Sequence, residues 1–261
     1  MNFFDDENRI IKYFHKTNPS QILIMNDDKR LLDVFRKIYD QECWEKWINS
    51  SAKDAPPPDY YSNDYKMMMD IMRIDDHAYK NKKGKIINPT NAGESQLRKE
   101  LEQSGLLDMF PNMENVYVIP KTESQTELDH NFTNYKKNFE RTVKEHICKI
   151  ELYKSNHPGY KIVFFVCDES SEYIEVSGEK PKEVWEGKKQ KGKPHLYFLD
   201  HDFLNVFKST GIDYLIWFSP YKLITTLNRE IELPQVSVYD ANHFEFEMIK
   251  YDSNQMISSE V

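Results

Sequence analysis

Six consecutive apolar residues, Ile162, Val163, Phe164, Phe165, Val166 and Cys167, run without interruption into Asp168 and Glu169. A strand exposes alternate residues to opposite faces, so an unbroken apolar run of this length predicts a strand covered on both sides. Few architectures do that in a chain of 261 residues. The most direct is a sheet with helices on both faces.

The rest of the sequence fits that frame. QILIMNDD reads as a buried strand and the following DKRLLDVFRKIYDQECWEKWI as a helix with Leu31, Leu32, Phe35, Ile38 and Tyr39 on one stripe. DENRIIKYFHK, near the start, reads as a short amphipathic helix. YKMMMDIMRID reads as a strand, GESQLRKELEQSGLLDMF as a helix and NVYVIP as a short strand. Over residues 131–155, Phe132, Tyr135, Phe139, Val143, Ile147, Ile150 and Tyr153 recur every three or four positions, the spacing of one helix face. HLYFLD, DYLIWFSP and QVSVYD add strands, with HDFLNVFKSTG a short helix after the first. EFEMIKYD is a further edge-strand candidate. The expected fold is therefore α/β, a three-layer arrangement with a mixed, mainly parallel central sheet flanked by helices.

Residues 1–261 read as a single α/β domain. The proline run in 52–61 either bounds a small N-terminal unit or is a surface loop. The single strand before it favours the loop. Residues 253–261 read as a flexible tail. No run approaches the roughly 18 apolar residues of a membrane helix, and the first residues lack a signal-peptide pattern. Cys43, Cys148 and Cys167 lie far apart, without metal-ligand or disulfide-framework spacing. Reduced thiols and a cytoplasmic setting are the simple expectation.

Several familiar motifs are excluded. Gly187 to Lys193 fits G-x-x-x-x-G-K, but Pro194 stands where a P-loop needs Ser or Thr, and a strand rather than a helix is predicted next. No G-x-G-x-x-G, G-x-S-x-G or H-E-x-x-H is present. The net charge of −8 argues against broad charge-driven binding to nucleic acid or membranes.

What recurs is acid at the ends of predicted strands: Asp27-Asp28, Asp75-Asp76, Asp168-Glu169 and Asp200-His201-Asp202. Ligands of open α/β sheets bind beyond the carboxyl ends of the strands, and hard oxygen donors there suit Mg²⁺ or Mn²⁺. Asp27 or Asp28 before KRLLDVF, and His201-Asp202 before FLNVF, read first as helix caps. Asp70 is a different case. Alternation puts it on one face with Met68, Met72 and Ile74, where a carboxylate must be paired, protonated or metal-bound, while Arg73 faces the other way. Two lysine clusters, containing Lys82 and Lys83, and Lys189 and Lys191, follow the acidic ends at 75–76 and 168–169.

Together these features predict a Mg²⁺- or Mn²⁺-dependent hydrolase of phosphodiesters, nuclease-like. Asp70, Asp168 and Glu169 are its candidate catalytic residues, and with Asp75 its candidate metal ligands. Lys82, Lys83, Lys189 and Lys191 are candidate contacts to a nucleic acid backbone. The alternative is a non-catalytic interaction module presenting Tyr60, Tyr61 and Tyr65 beside the proline run.

Overall fold

A computed structural model describes residues 6–50, 58–76, 79–80, 86–87, 89–106, 109, 131–176, 192–225 and 230–258. Helix α1 (Asp6–Phe14) is followed by strand β1 (Ile22–Ile24), α2 (Lys29–Tyr39), α3 (Gln41–Trp44), β2 (Ile48–Asn49), β3 (Tyr60–Ser62) and β4 (Met67–Ile74). A two-stranded pair, β5 (Tyr79–Lys80) and β6 (Ile86–Ile87), precedes α4 (Pro89–Gln103), α5 (Phe132–Ile147) and α6 (Ile150–Asn156). Then come β7 (Lys161–Asp168), β8 (Tyr173–Val176), β9 (Gly192–Pro194), α7 (His201–Asn205) and β10 (Tyr214–Phe218). A hairpin of β11 (Leu223–Thr225) and β12 (Glu230–Glu232), then β13 (Val236–Asp240) and β14 (Met256–Ser258), complete the order.

Seven strands form one mixed sheet in the order β1-β13-β10-β7-β4-β3-β2. The three central strands β10, β7 and β4 are parallel, so their carboxyl ends lie along one edge. β13 joins β10 antiparallel, with β1 parallel to it, while β3 and β2 add antiparallel pairings on the other side. Parallel pairing therefore holds at the centre, and the flanks make the sheet mixed.

β7 has the two-sided burial that its apolar run predicts. Ile162, Phe164 and Val166 join one core, with Tyr135, Phe139 and Val143 of α5, Ile150 and Tyr153 of α6, and Phe203 of α7. Val163, Phe165 and Cys167 join the other, with Ile10, Ile11 and Phe14 of α1 and Leu31, Phe35 and Ile38 of α2. Aromatic rings anchor both sides: Phe14 meets Phe165 edge-on at 5.0 Å, and Phe139 stacks on Trp217 at 5.1 Å. Before β7 the chain turns at Gly159, whose φ of +78° is accessible to glycine at little cost.

Five local expectations are revised. The long helix expected after Asp28 ends at Tyr39, because Asp40 adopts an extended backbone and starts α3. Residues 131–155 divide into α5 and α6 around Cys148 and Lys149. HLYFLD is not a strand. His195 Nε2 lies 2.8 Å from Asp200 Oδ2, whereas five extended residues would separate them by about 17 Å. The segment instead forms a 3₁₀ turn at Tyr197–Leu199, after which Asp200 caps α7 by accepting from the N–H groups of Asp202 and Phe203. EFEMIKYD contributes one isolated bridge, between Ile249 and Asp200, in place of an edge strand. Within the stretch read as a tail, Met256–Ser258 pair with β8, which also pairs with β9 to make a three-stranded sheet.

Candidate active site at the strand carboxyl ends

Beyond the carboxyl ends of β4, β7 and β10 lies a buried polar cluster. Its centre is Asp168, the last residue of β7, with no exposed surface. Oδ2 accepts from the Tyr135 hydroxyl at 2.6 Å and from Trp217 Nε1 at 3.1 Å. Oδ1 accepts from the Ser170 backbone N–H at 3.1 Å and its hydroxyl at 2.6 Å. The sequence dictates this arrangement. Tyr135 belongs to the inward stripe of α5, Trp217 precedes the end of β10, and Ser170 follows two residues after the aspartate, the spacing of an Asx turn.

Lys222 completes the centre. It follows the Ser219–Tyr221 turn after β10, and its side chain is wholly buried. Nζ stands 3.3 Å from Asp168 Oδ2 and donates to Ser170 Oγ at 2.9 Å, with the Tyr135 hydroxyl and the Ser171 carbonyl each at 3.4 Å. The faces of Tyr135 and Tyr197 lie 4.9 and 5.2 Å from the same ammonium. A buried cation is tolerable only with such a set of acceptors, because its desolvation costs several kcal/mol. Burial, and next the charge of Asp168, pushes the Tyr135 hydroxyl well above the usual phenol range. It therefore stays a donor.

Glu172 lies next to this pair and is 3% exposed. Among the described residues its carboxylate oxygens have no hydrogen-bond partner. The backbone N–H of Tyr173 favours its ionised form. Burial pushes this carboxyl up to about 7, against the opposing influence of Lys222. A carboxyl poised there can both donate and accept a proton near neutral pH. On the far side, His195 is fully buried and holds Asp200 through Nε2, leaving Nδ1 without a partner among the described residues. Burial lowers the His195 pKa, favouring the neutral ring. Asp76, beyond β4, accepts from the Ser171 N–H at 3.0 Å and the Tyr173 hydroxyl at 2.6 Å, tying the loop to β8.

The acids singled out in the sequence are spread over three places. Asp70 pairs in register with Phe164, four residues before Asp168, which is about 13 Å along the strands. It lies on the same face as Met68, Met72 and Ile74 and is 2% exposed. Its Oδ2 accepts from the Tyr153 hydroxyl at 2.6 Å and contacts His146 Nδ1. Asp59 neighbours it. Burial and then the Asp70 charge push the Asp59 carboxyl up to about 8, while its Oδ2 accepts from the Ile71 N–H at 2.7 Å. Glu169 faces away from Asp168 and receives the guanidinium of Arg73 at 2.7 and 3.0 Å, with Arg9 at 3.9 Å. Asp75 is buried at the end of β4, and its carbonyl accepts from Asn138 Nδ2 at 3.0 Å. Lys82, Lys83, Lys189 and Lys191 lie outside the described residues.

Among the described residues, no three acidic, histidine or cysteine side chains are grouped to hold a metal ion. The aromatic trio beside the proline run also divides. Tyr60 is buried and bonds Asn8 Oδ1 at 2.9 Å, and Tyr61 packs on His157 with ring centroids 4.3 Å apart. Among the described residues no helix is long and apolar enough to cross a membrane.

Lys222 and Glu172 were missed in the sequence. The available signal was a lone lysine between two apolar segments, Tyr214–Phe218 and Leu223-Ile224, and a glutamate in the polar run that follows Asp168. Comparison of the chain with protein-family models, curated proteins and solved structures returns no match.

Proposed function

We propose that this protein is a hydrolase of phosphodiesters whose reaction centre is the Asp168–Lys222–Glu172 cluster. The observation that carries the reading is the buried Lys222–Asp168 pair at the carboxyl ends of parallel strands, with the carboxyl of Glu172 beside it, which has no hydrogen-bond partner among the described residues. In this role Lys222 stabilises negative charge developing on a phosphoryl oxygen. Asp168 fixes the position of Lys222, and Glu172 moves the proton between the attacking water and the leaving oxygen.

The positive charge in this scheme is supplied by the protein. A Mg²⁺ or Mn²⁺ held jointly by Asp70, Asp168 and Glu169 does not suit the arrangement, because Asp70 is four residues down the sheet and the other two face opposite sides. An ion brought by the substrate is compatible with it, and the assay below includes both ions. The phosphodiester class is supported by the order of the sequence, in which strand-end acids are followed by lysine clusters.

The test is turnover of bis(p-nitrophenyl) phosphate by the purified full chain, with chelator and with added Mg²⁺ or Mn²⁺. Wild type is expected to release nitrophenol. Lys222→Met and Glu172→Gln, each checked for folding by circular dichroism, are expected to lose at least 100-fold, the range associated with one electrostatic or acid–base group. Equal turnover by wild type and both variants would overturn the assignment.

A further inference from the structure

The centre is closed in this structure: neither Asp168 nor Lys222 has exposed side-chain surface, and Glu172 is almost wholly buried. The Lys222 ammonium is held on one side by the segment that leads into β8, through Ser170 Oγ at 2.9 Å and the Ser171 carbonyl at 3.4 Å. Outside that segment lies β14. It pairs antiparallel with β8, setting Ser258 opposite Tyr173, Ile257 opposite Ile174 and Met256 opposite Glu175. The Ser171 hydroxyl donates to Asp76, so the 3.0 Å hydrogen bond between Ser258 and Ser171 is donated by Ser258. Ser258, Ser171 and Lys222 thus form one line of contacts from β14 to the buried ammonium. A second line runs through Tyr173, which stacks on Tyr135 with ring centroids 5.7 Å apart, and Tyr135 bonds Asp168. The elements around the centre are unequally anchored. β7, β10 and α5 each place several fully buried side chains in the core, whereas β14 adds one partly buried methionine, Met256. β14 is also only three residues long and lies at the edge of the small β14-β8-β9 sheet. A short edge element with little buried apolar surface opens at lower cost than the strands of the main sheet.

We propose that β14 is a strap over the centre, and that its release from β8 frees Ser171 and lets the Ser170–Glu172 segment move off Lys222. The ammonium then exchanges a hydroxyl and a carbonyl oxygen for the oxygens of an incoming phosphodiester, which accept the same hydrogen bonds and carry negative charge. Asp168 keeps Lys222 in place during the exchange, because its own bonds to Tyr135 and Trp217 come from elements of the core. The inference rests on the reading of the Asp168–Lys222–Glu172 cluster as a reaction centre, since a closed centre needs a way in.

The test pins the strap with a disulfide in the full chain. Glu175→Cys with Met256→Cys puts two thiols directly opposite each other, one position from the Val176–Gln255 pair that carries a backbone hydrogen bond, where side chains of an antiparallel pair approach most closely. Cys148→Ser removes the exposed native thiol, and the reduced form of the same protein is the control. Oxidation should lower the turnover of bis(p-nitrophenyl) phosphate by about tenfold or more, and dithiothreitol should restore it. Ser258→Ala, which removes one hydrogen bond of the strap, should raise wild-type turnover about fivefold. Hydrogen exchange at the amides of Ser170, Ser171 and Glu172 reads the same motion without a substrate, and oxidation should slow it. Equal turnover before and after oxidation would overturn the strap and leave the centre standing. If wild type does not turn over, the centre falls and exchange decides the strap, which stands if oxidation slows the three amides and falls if it does not.

Discussion

Lys222 Nζ and Asp168 Oδ2 lie 3.3 Å apart, and neither side chain has any exposed surface. The carboxylate takes four further hydrogen bonds, from Tyr135, Trp217 and Ser170, whereas the lysine depends on Asp168 for its opposite charge within this contact set. The two partners are therefore unequal in what their loss does.

Asp168→Asn leaves a buried cation without its counter-charge and is expected to cost about 3–5 kcal/mol. Lys222→Met leaves a carboxylate that still accepts four hydrogen bonds and should cost less, about 1–3 kcal/mol. Combining the two should recover most of the Asp168→Asn loss. Urea unfolding of the three variants measures this, and strictly additive losses would show that the pair is not coupled.

Glu172 makes stability depend on pH in an identifiable direction. Its carboxyl is raised from an ordinary 4.5 to about 7, so the folded chain holds the proton more tightly than the unfolded chain. Stability should then fall as pH rises from about 4.5 to about 7, with the full cost present above that range, up to about 3 kcal/mol at 1.36 kcal/mol per pH unit. Glu172→Gln removes the titration. The variant should gain on wild type between pH 5 and pH 8 in denaturant melts, and a difference constant with pH would refute the assignment.

The buried Asp70 cluster should behave differently from the centre. Asp70→Asn weakens the acceptor for Tyr153 and His146 without stranding a lysine, so a loss of about 1–3 kcal/mol is expected. Asp59, raised from 3.8 to about 8 beside it, adds a second loss of stability as pH rises through that interval. Asp59→Asn should reduce it, as read from melting midpoints between pH 5 and pH 9. An unchanged slope would mean that Asp59 is ionised throughout.

His195 acts with the opposite sign. Its pKa is lowered from 6.5 by burial, so the unfolded chain binds the proton more readily. The stability tied to its neutral form is present above about 6.5 and is lost as pH falls. His195→Gln should weaken this acid-side loss in the same pH series, and an unchanged acid limb would refute the role.

The frame was readable because its signals are local. The apolar run 162–167 required cover on both faces, and α1 and α2 on one side with α5, α6 and α7 on the other meet that requirement. Alternation along β4 was enough to put Asp70 with Met68 and Met72 and Arg73 on the reverse side. Convergence was not readable, because it depends on register and facing. Asp168 and Glu169 are adjacent in sequence and end on opposite faces, and Asp70 ends four residues from the edge. Lys222 reaches Asp168 only because β10 lies parallel beside β7 and a tight turn sends the next segment inward. Likewise, the 3₁₀ turn at Tyr197–Leu199 follows from the His195–Asp200 bond, a contact that an apolar–polar pattern does not encode.

The most direct measurement of the central claim is the pH–rate profile of bis(p-nitrophenyl) phosphate hydrolysis by wild type, Glu172→Gln and Lys222→Met. The account expects wild-type turnover with an inflection near pH 7, absent from the residual activity of Glu172→Gln, and turnover reduced at every pH in Lys222→Met. No wild-type turnover under any metal condition, or an inflection that persists in Glu172→Gln, would contradict it.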